Sequence, residues 1–169
     1  MDRHIFLVGM PGSGKSALGR RVAAKLQMPY LDTDVYLAEA TGMNTAQLYE
    51  AFGEKAFRDG ETRLLAELAA ATPGMISTGG GVCLRDINRR LMHNHGVIVL
   101  IDRPIDDIML DIRVEKRPLL AQKGREEIER IYRERMPIYR GAADIVMDNG
   151  GGFHNGLASL EAIVRRFAG

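Results

Sequence analysis

Apolar residues along this chain follow two alternating patterns: compact runs of strand length, and longer segments in which they recur every three or four positions. The runs are Ile5–Val8, Tyr30–Leu31, Met75–Thr78, Val97–Ile101 and Ile145–Asp148. Between the first two, Leu18, Val22 and Leu26 recur at four-residue spacing and predict an amphipathic helix from Lys15 to Leu26, stopping before Pro29. From Val35 to Ala71 the pattern is helical but interrupted. Gly42 breaks the first piece, Asn44 followed by Gln47 reads as a capping arrangement that opens a second, and Gly53 ends that one. A long helix over Glu54–Ala71 then carries Phe57, Leu64, Leu65 and Leu68 on its buried side, with Arg58 and Glu61 on a neighbouring face. Further helices are predicted over Arg85–Met92, Asp106–Glu115, Glu126–Arg140 and Leu157–Phe167. Five short strands separated by helices specify an α/β chain, a three-layer α/β/α sandwich around a five-stranded parallel sheet. The helix between the second and third strands exceeds a minimal crossover, which marks a small substrate-binding insertion within a single domain spanning residues 1–169.

The chemistry gathers where strands end. After Ile5–Val8 comes Gly9-Met10-Pro11-Gly12-Ser13-Gly14-Lys15-Ser16, a G-x-x-x-x-G-K-S spacing that opens a helix. Glycines at these positions let successive N–H groups converge on phosphate oxygens at a helix N-terminus. Gly12, Ser13, Gly14, Lys15, Ser16 and Ala17 are therefore the nucleotide contacts, with Lys15 bridging the terminal phosphates and Ser16 a Mg²⁺ ligand. Asp32-Thr33-Asp34 sits at the end of the second strand, the edge where open α/β sheets place their chemistry. Gly79-Gly80-Gly81 ends the third, and three glycines there suit close approach of a ligand to bare backbone N–H groups.

Composition narrows the partners. The 169 residues include 23 basic and 22 acidic side chains, a net charge of +1, which gives nucleic acid or an anionic membrane nothing to hold. A single cysteine, Cys83, cannot form an internal disulfide and suits a reducing compartment. No run approaches the ~18 apolar residues of a membrane span, and no secretory signal precedes the glycine loop, so a monomeric cytoplasmic protein is expected. His93 and His95 have no third metal ligand near them in sequence.

Taken together and in order, the loop, Asp32-Thr33-Asp34, Phe57-Arg58 with Glu61, Thr78-Gly79-Gly80-Gly81, Arg117-Pro118-Leu119-Leu120, and Arg135 before Tyr139-Arg140 resemble the shikimate kinases over about residues 4–148. The resemblance implies the nucleoside-monophosphate-kinase fold with strand order 2-3-1-4-5. It also implies ATP-dependent phosphorylation of the 3-hydroxyl of shikimate, a step toward chorismate and the aromatic amino acids. On that footing Asp32 lies near Mg²⁺, and Asp34 beside the attacking hydroxyl, as suits two carboxylates one strand residue apart. Lys15 and Arg117 supply positive charge around the migrating phosphoryl group. Arg58 and Arg135 clamp the substrate carboxylate, a task for planar guanidinium forks. Phe57 lines the substrate pocket with the Gly79, Gly80 and Gly81 backbone, and residues 113–125 form a lid over ATP.

Some residues depart from or compete with that pattern. Val97–Asp102 is the better formal match to a Walker-B strand, which makes Asp102 a rival metal partner that Arg103-Pro104 would neutralise and turn away. Ala17 stands where many relatives carry threonine, and Tyr49 where a phenylalanine is frequent. Two other functions compete: a sugar-acid kinase of the gluconate type, opposed by the Thr78–Gly81 run and the paired arginines, and a nucleotide switch, opposed by the lack of an N-K-x-D motif.

Overall fold

A computed structural model describes residues 2–115 and 124–167. Five strands, β1 (His4–Val8), β2 (Tyr30–Asp32), β3 (Met75–Ser77), β4 (Gly96–Asp102) and β5 (Ile145–Asp148), pair in parallel in the order β2-β3-β1-β4-β5. This is the expected topology. Ile5 of β1 lies opposite both Met75 and Val97, so the central strand is flanked along its length.

Alternation along β1 divides the core. Ile5 and Leu7 face one layer, formed by α1 (Lys15–Lys25) and α7 (Phe153–Arg165), with Leu18, Val22, Leu160 and Val164 packed beneath the sheet. Phe6 and Val8 face the other, where Leu65 of α3 (Thr45–Ala69), Met92 of α4 (Asp86–His95), Ile108 of α5 (Ile105–Glu115) and Met136 of α6 (Arg125–Ala142) close over them. With both faces covered, the strands read as continuous apolar runs.

The helical stretch between β2 and β3 resolves as the punctuation requires. Helix α2 (Thr33–Thr41) stops at Gly42, and a reciprocal capping box, Gln47 N–H to Asn44 Oδ1 at 3.0 Å and Asn44 N–H to Gln47 Oε1 at 2.8 Å, starts α3. Gly53 leaves helical geometry at φ 78°, ψ 165°, so α3 is two helices end to end, as expected.

Three details differ. Asp34 is not a strand residue: Asp32 ends β2 and caps α2, its Oδ1 accepting from the N–H groups of Asp34 (3.0 Å) and Val35 (3.2 Å), so the chain turns helical at Thr33. The two carboxylates are therefore related by a helix cap and not by strand alternation. A 3₁₀ turn at Val82–Leu84 follows the glycine run, and α7 begins four residues before Leu157, its first turn too polar to show apolar periodicity. Among the described residues no helix is long and apolar enough to cross a membrane.

Candidate functional site

The phosphate loop is the partition between two clefts. Gly12, Gly14, Lys15 and Ser16 line one, of about 610 Å³, while Met10 and Pro11 line the other, of about 720 Å³. Both open at the carboxyl ends of the strands, where the order switches sides around β1.

In the first cleft, Gly12 and Gly14 hold φ values of 82° and 98°, left-handed backbone that side-chain-bearing residues rarely adopt. Lys15 opens α1 with its ammonium turned back on the loop, donating to the carbonyls of Gly9 and Met10, both at 2.9 Å. Ser16 and Ala17 are exposed at the helix N-terminus. Ser13 is fully buried and its N–H donates to Met10 (3.1 Å), so it shapes the loop from beneath. Two residues whose bonds to the loop sequence reasoning missed hold this cleft together. Arg103, just past β4, donates to the Gly12 carbonyl at 3.0 Å and pairs with Asp111 of α5. Asn149, just past β5, donates from Nδ2 to the Ser13 carbonyl at 2.8 Å. The available signal was position, since both follow directly on the carboxyl end of a strand.

The expected neutralisation of Asp102 comes from a different arginine: Arg140 of α6 pairs with its Oδ2 at 2.9 Å, leaving Arg103 for the loop. Asp32 is held differently. Its Oδ1 is committed to the cap while Oδ2 takes no bond from the described residues, and the exposed Ser16 stands on the same side of the sheet. Among the described residues no cluster of three His, Cys, Asp or Glu side chains forms. A magnesium ion needs none, because it keeps several waters and is completed by substrate phosphates. Ser16 with Asp32 is a donor set that fits it.

The second cleft gathers Asp34, Phe57, Arg58, Glu61, Gly79, Gly80, Gly81 and Arg135. Asp34 lines the cleft as an exposed residue; desolvation within it, with the charge of Asp32 adding to it, pushes its pKa above the ordinary aspartate value against the pull of Lys15 and Arg58. Arg58 and Glu61 form a buried ion pair at 2.7 Å, with only 9% and 4% of their side chains exposed. Glu61 is thus no surface carboxylate. Burial pushes its pKa up, and Arg58 opposes the shift. The guanidinium lies over the rings of Phe57 (5.3 Å) and Tyr49 (5.4 Å), and its buried Nε has no hydrogen-bond acceptor and only a 3.9 Å ion-pair contact with Glu54.

The glycine run is crowded by protein rather than open. A Cβ on Gly79 would lie 2.9 Å from Asp34 Oδ1 and 3.0 Å from Glu61 Oε1, one on Gly80 would meet Pro11, and one on Gly81 would overlap the Arg58 guanidinium. Gly79 also spends its N–H on Thr33 Oγ1 (3.0 Å), so it lines the cleft without offering that donor. Opposite Arg58, Arg135 of α6 reaches the turn with Nη1 3.4 Å from the Gly80 carbonyl. Arg117 and residues 116–123 of the expected lid lie outside the described residues.

Known proteins resemble the chain over nearly its whole length. The family model described as shikimate kinase matches residues 11–165. A shikimate kinase of Clostridium botulinum (strain Eklund 17B / Type B) is 38% identical over 164 residues, 97% of this chain and 98% of that one. One from Aromatoleum aromaticum is 38% identical over 166 residues, covering 96% and 95%. Among solved structures, the Acinetobacter baumannii shikimate kinase in complex with shikimate superposes with a TM-score of 0.86 at 28% identity, covering 98% of this chain and 93% of that one.

Proposed function

The chain belongs to the shikimate kinase family, ATP-dependent transferases that phosphorylate shikimate in aromatic amino acid biosynthesis, and we propose that its two clefts divide that reaction between them across the phosphate loop. ATP lies along Gly12, Gly14, Lys15, Ser16 and Ala17, with Ser13 shaping the loop beneath; shikimate lies between Asp34, Arg58, Gly79–Gly81 and Arg135, against Phe57. Its 3-hydroxyl faces the γ-phosphate past Met10 and Pro11. Lys15 is already at the boundary, and its ammonium exchanges loop carbonyls for phosphate oxygens, neutralising charge as the phosphoryl group migrates.

Asp34 orients the attacking hydroxyl and takes its proton. The raised pKa suits this, because a more basic carboxylate has more to gain from the proton it receives. Arg58 and Arg135 grip the substrate carboxylate from two sides, and the N–H groups of Gly80 and Gly81 meet the ring hydroxyls or that carboxylate. Mg²⁺ held by Ser16 and Asp32 would supply charge neutralisation between the phosphates when bound. Arg117, outside the described residues, keeps its expected role as a second positive charge for the migrating phosphoryl group. In this reading residues 33–61 are the acceptor-binding insertion, 113–125, most of which lie outside the described residues, the lid over ATP, and the enzyme is a cytoplasmic monomer.

The observation that carries the proposal is the convergence of Arg58, from α3, and Arg135, from α6, on one glycine turn beside Asp34. The test is ADP release from MgATP with shikimate, gluconate or nucleoside monophosphates as acceptor. Turnover with shikimate and background release with the others is expected; faster turnover with gluconate would return the sugar-acid reading.

A further inference from the structure

The carbonyl of Gly80 is claimed twice. Tyr139 of α6 is wholly buried, at 0% exposure, and donates its phenol O–H to that oxygen, while Arg135, one helical turn earlier on the same face, approaches it with Nη1 at 3.4 Å. A phenol committed inside an apolar core must have an acceptor, and the short approach to Gly80 supplies it. The Arg135 bond is at the long limit of hydrogen bonding.

We propose that Tyr139 is a positioning residue for the acceptor site: by occupying the Gly80 carbonyl it pins the glycine turn to α6 and leaves the Arg135 guanidinium available to the anionic group of the acceptor. The oxygen has two lone pairs and accepts from both, but the phenol holds the close position and leaves the guanidinium only the long one. Without the phenol, Arg135 becomes the partner that the half-buried carbonyl draws in, and it is withdrawn from the cleft. Burial supports the division of labour, since it pushes the Tyr139 pKa up to about 12, and the phenol stays a neutral donor throughout the working pH range. The turn has further braces on its far side, where Asn88 of α4 donates to the Val82 carbonyl (2.9 Å) and Arg89 to that of Cys83 (2.6 Å), so losing the phenol shifts the balance at Gly80 without releasing the whole turn.

The inference rests on the reading of Arg135 as a carboxylate clamp, and one experiment separates the two. Kinetics are measured for Tyr139→Phe, Arg135→Ala and the double variant, the phenyl ring preserving the packing. Loss of one neutral hydrogen bond predicts that Tyr139→Phe raises KM for shikimate by roughly 3–10-fold, with kcat and KM for ATP within about twofold. In the Arg135→Ala background the same substitution should change KM for shikimate by less than about twofold, because the residue acts through Arg135. An unchanged KM for shikimate in Tyr139→Phe, with Arg135→Ala impaired, overturns this proposal alone. An unimpaired Arg135→Ala overturns the clamp and the proposal with it. A parallel fall in kcat, both KM values and Tm that persists in the Arg135→Ala background assigns Tyr139 to packing and likewise overturns it.

Discussion

At the residue scale, Asp34 shows activity and stability drawn in opposite directions. Its folded-state pKa is raised, so between the ordinary aspartate value and that raised value the native protein binds more protons than the unfolded chain, and stability falls as pH rises through that window. At neutral pH the ionised Asp34 therefore subtracts from stability, a cost the proposed role as acceptor of the hydroxyl proton would explain. Asp34→Asn should raise Tm while lowering kcat by roughly 10²–10⁴-fold, with KM for ATP nearly unchanged. The acid limb of kcat/KM for the unsubstituted enzyme should fall above the ordinary aspartate range; a lower Tm, or equal losses in turnover and ATP affinity, would move Asp34 from the hydroxyl to the metal. Lys15 is a cleaner case. Its ammonium donates to the carbonyls of Gly9 and Met10 at the loop, so Lys15→Ala should fold and lose roughly 10²–10³-fold in kcat, and near-normal turnover would rule out its role at the phosphoryl group.

At the scale of elements, the glycine turn carries the site because side chains fill the space its missing Cβ atoms leave. Gly81 has φ −98°, a conformation any residue adopts, so the need for glycine there is purely spatial: a methyl group would overlap the Arg58 guanidinium. Gly81→Ala should displace Arg58 and lower kcat/KM for shikimate by on the order of 100-fold, the cost of an ångström-scale misplacement, with ATP binding spared; retained activity would show that Arg58 is not the constrained partner. The turn was legible in sequence as a run of glycines, but the cause of the run was not, because the crowding side chains come from 18 to 69 positions upstream, on α2, α3 and the phosphate loop. Strands and caps were legible for the opposite reason, since apolar periodicity and the Asn44–Gln47 box are local. Asp34 passed for a strand residue because a helix capped by the last strand residue leaves no polar linker to signal the change. The bonds of Arg103 and Asn149 to the phosphate loop escaped notice because each serves it from a distant strand end, and they are visible only once β4 and β5 lie beside β1.

At the scale of the whole molecule, the parallel sheet places five strand ends along one edge, and the phosphate loop divides that edge into an anion-binding cleft under α1 and an acceptor cleft between α3 and α6. Two separate clefts predict separate stabilisation. Nucleotide and shikimate, each at about 100 times its Kd, should each raise Tm by roughly 5–11 °C for a chain of this size, and together by more than either alone; mutual exclusion would place them in one cleft. The acceptor cleft also changes how its arginines must be tested. Arg58→Ala would leave Glu61 buried and unpaired, a loss of roughly 3–5 kcal/mol in stability that would obscure any effect on binding. Arg58→Lys keeps the charge and loses only the fork, while Arg135, half-buried and outside any such pair, is open to truncation. The most direct measurement is therefore kcat/KM for shikimate and for an analogue lacking the carboxylate, in the unsubstituted enzyme, Arg58→Lys and Arg135→Ala. A carboxylate clamp predicts a loss on shikimate of roughly 10–150-fold in Arg135→Ala, a smaller loss in Arg58→Lys, and little further loss on the analogue in either; equal losses on the two compounds would contradict it.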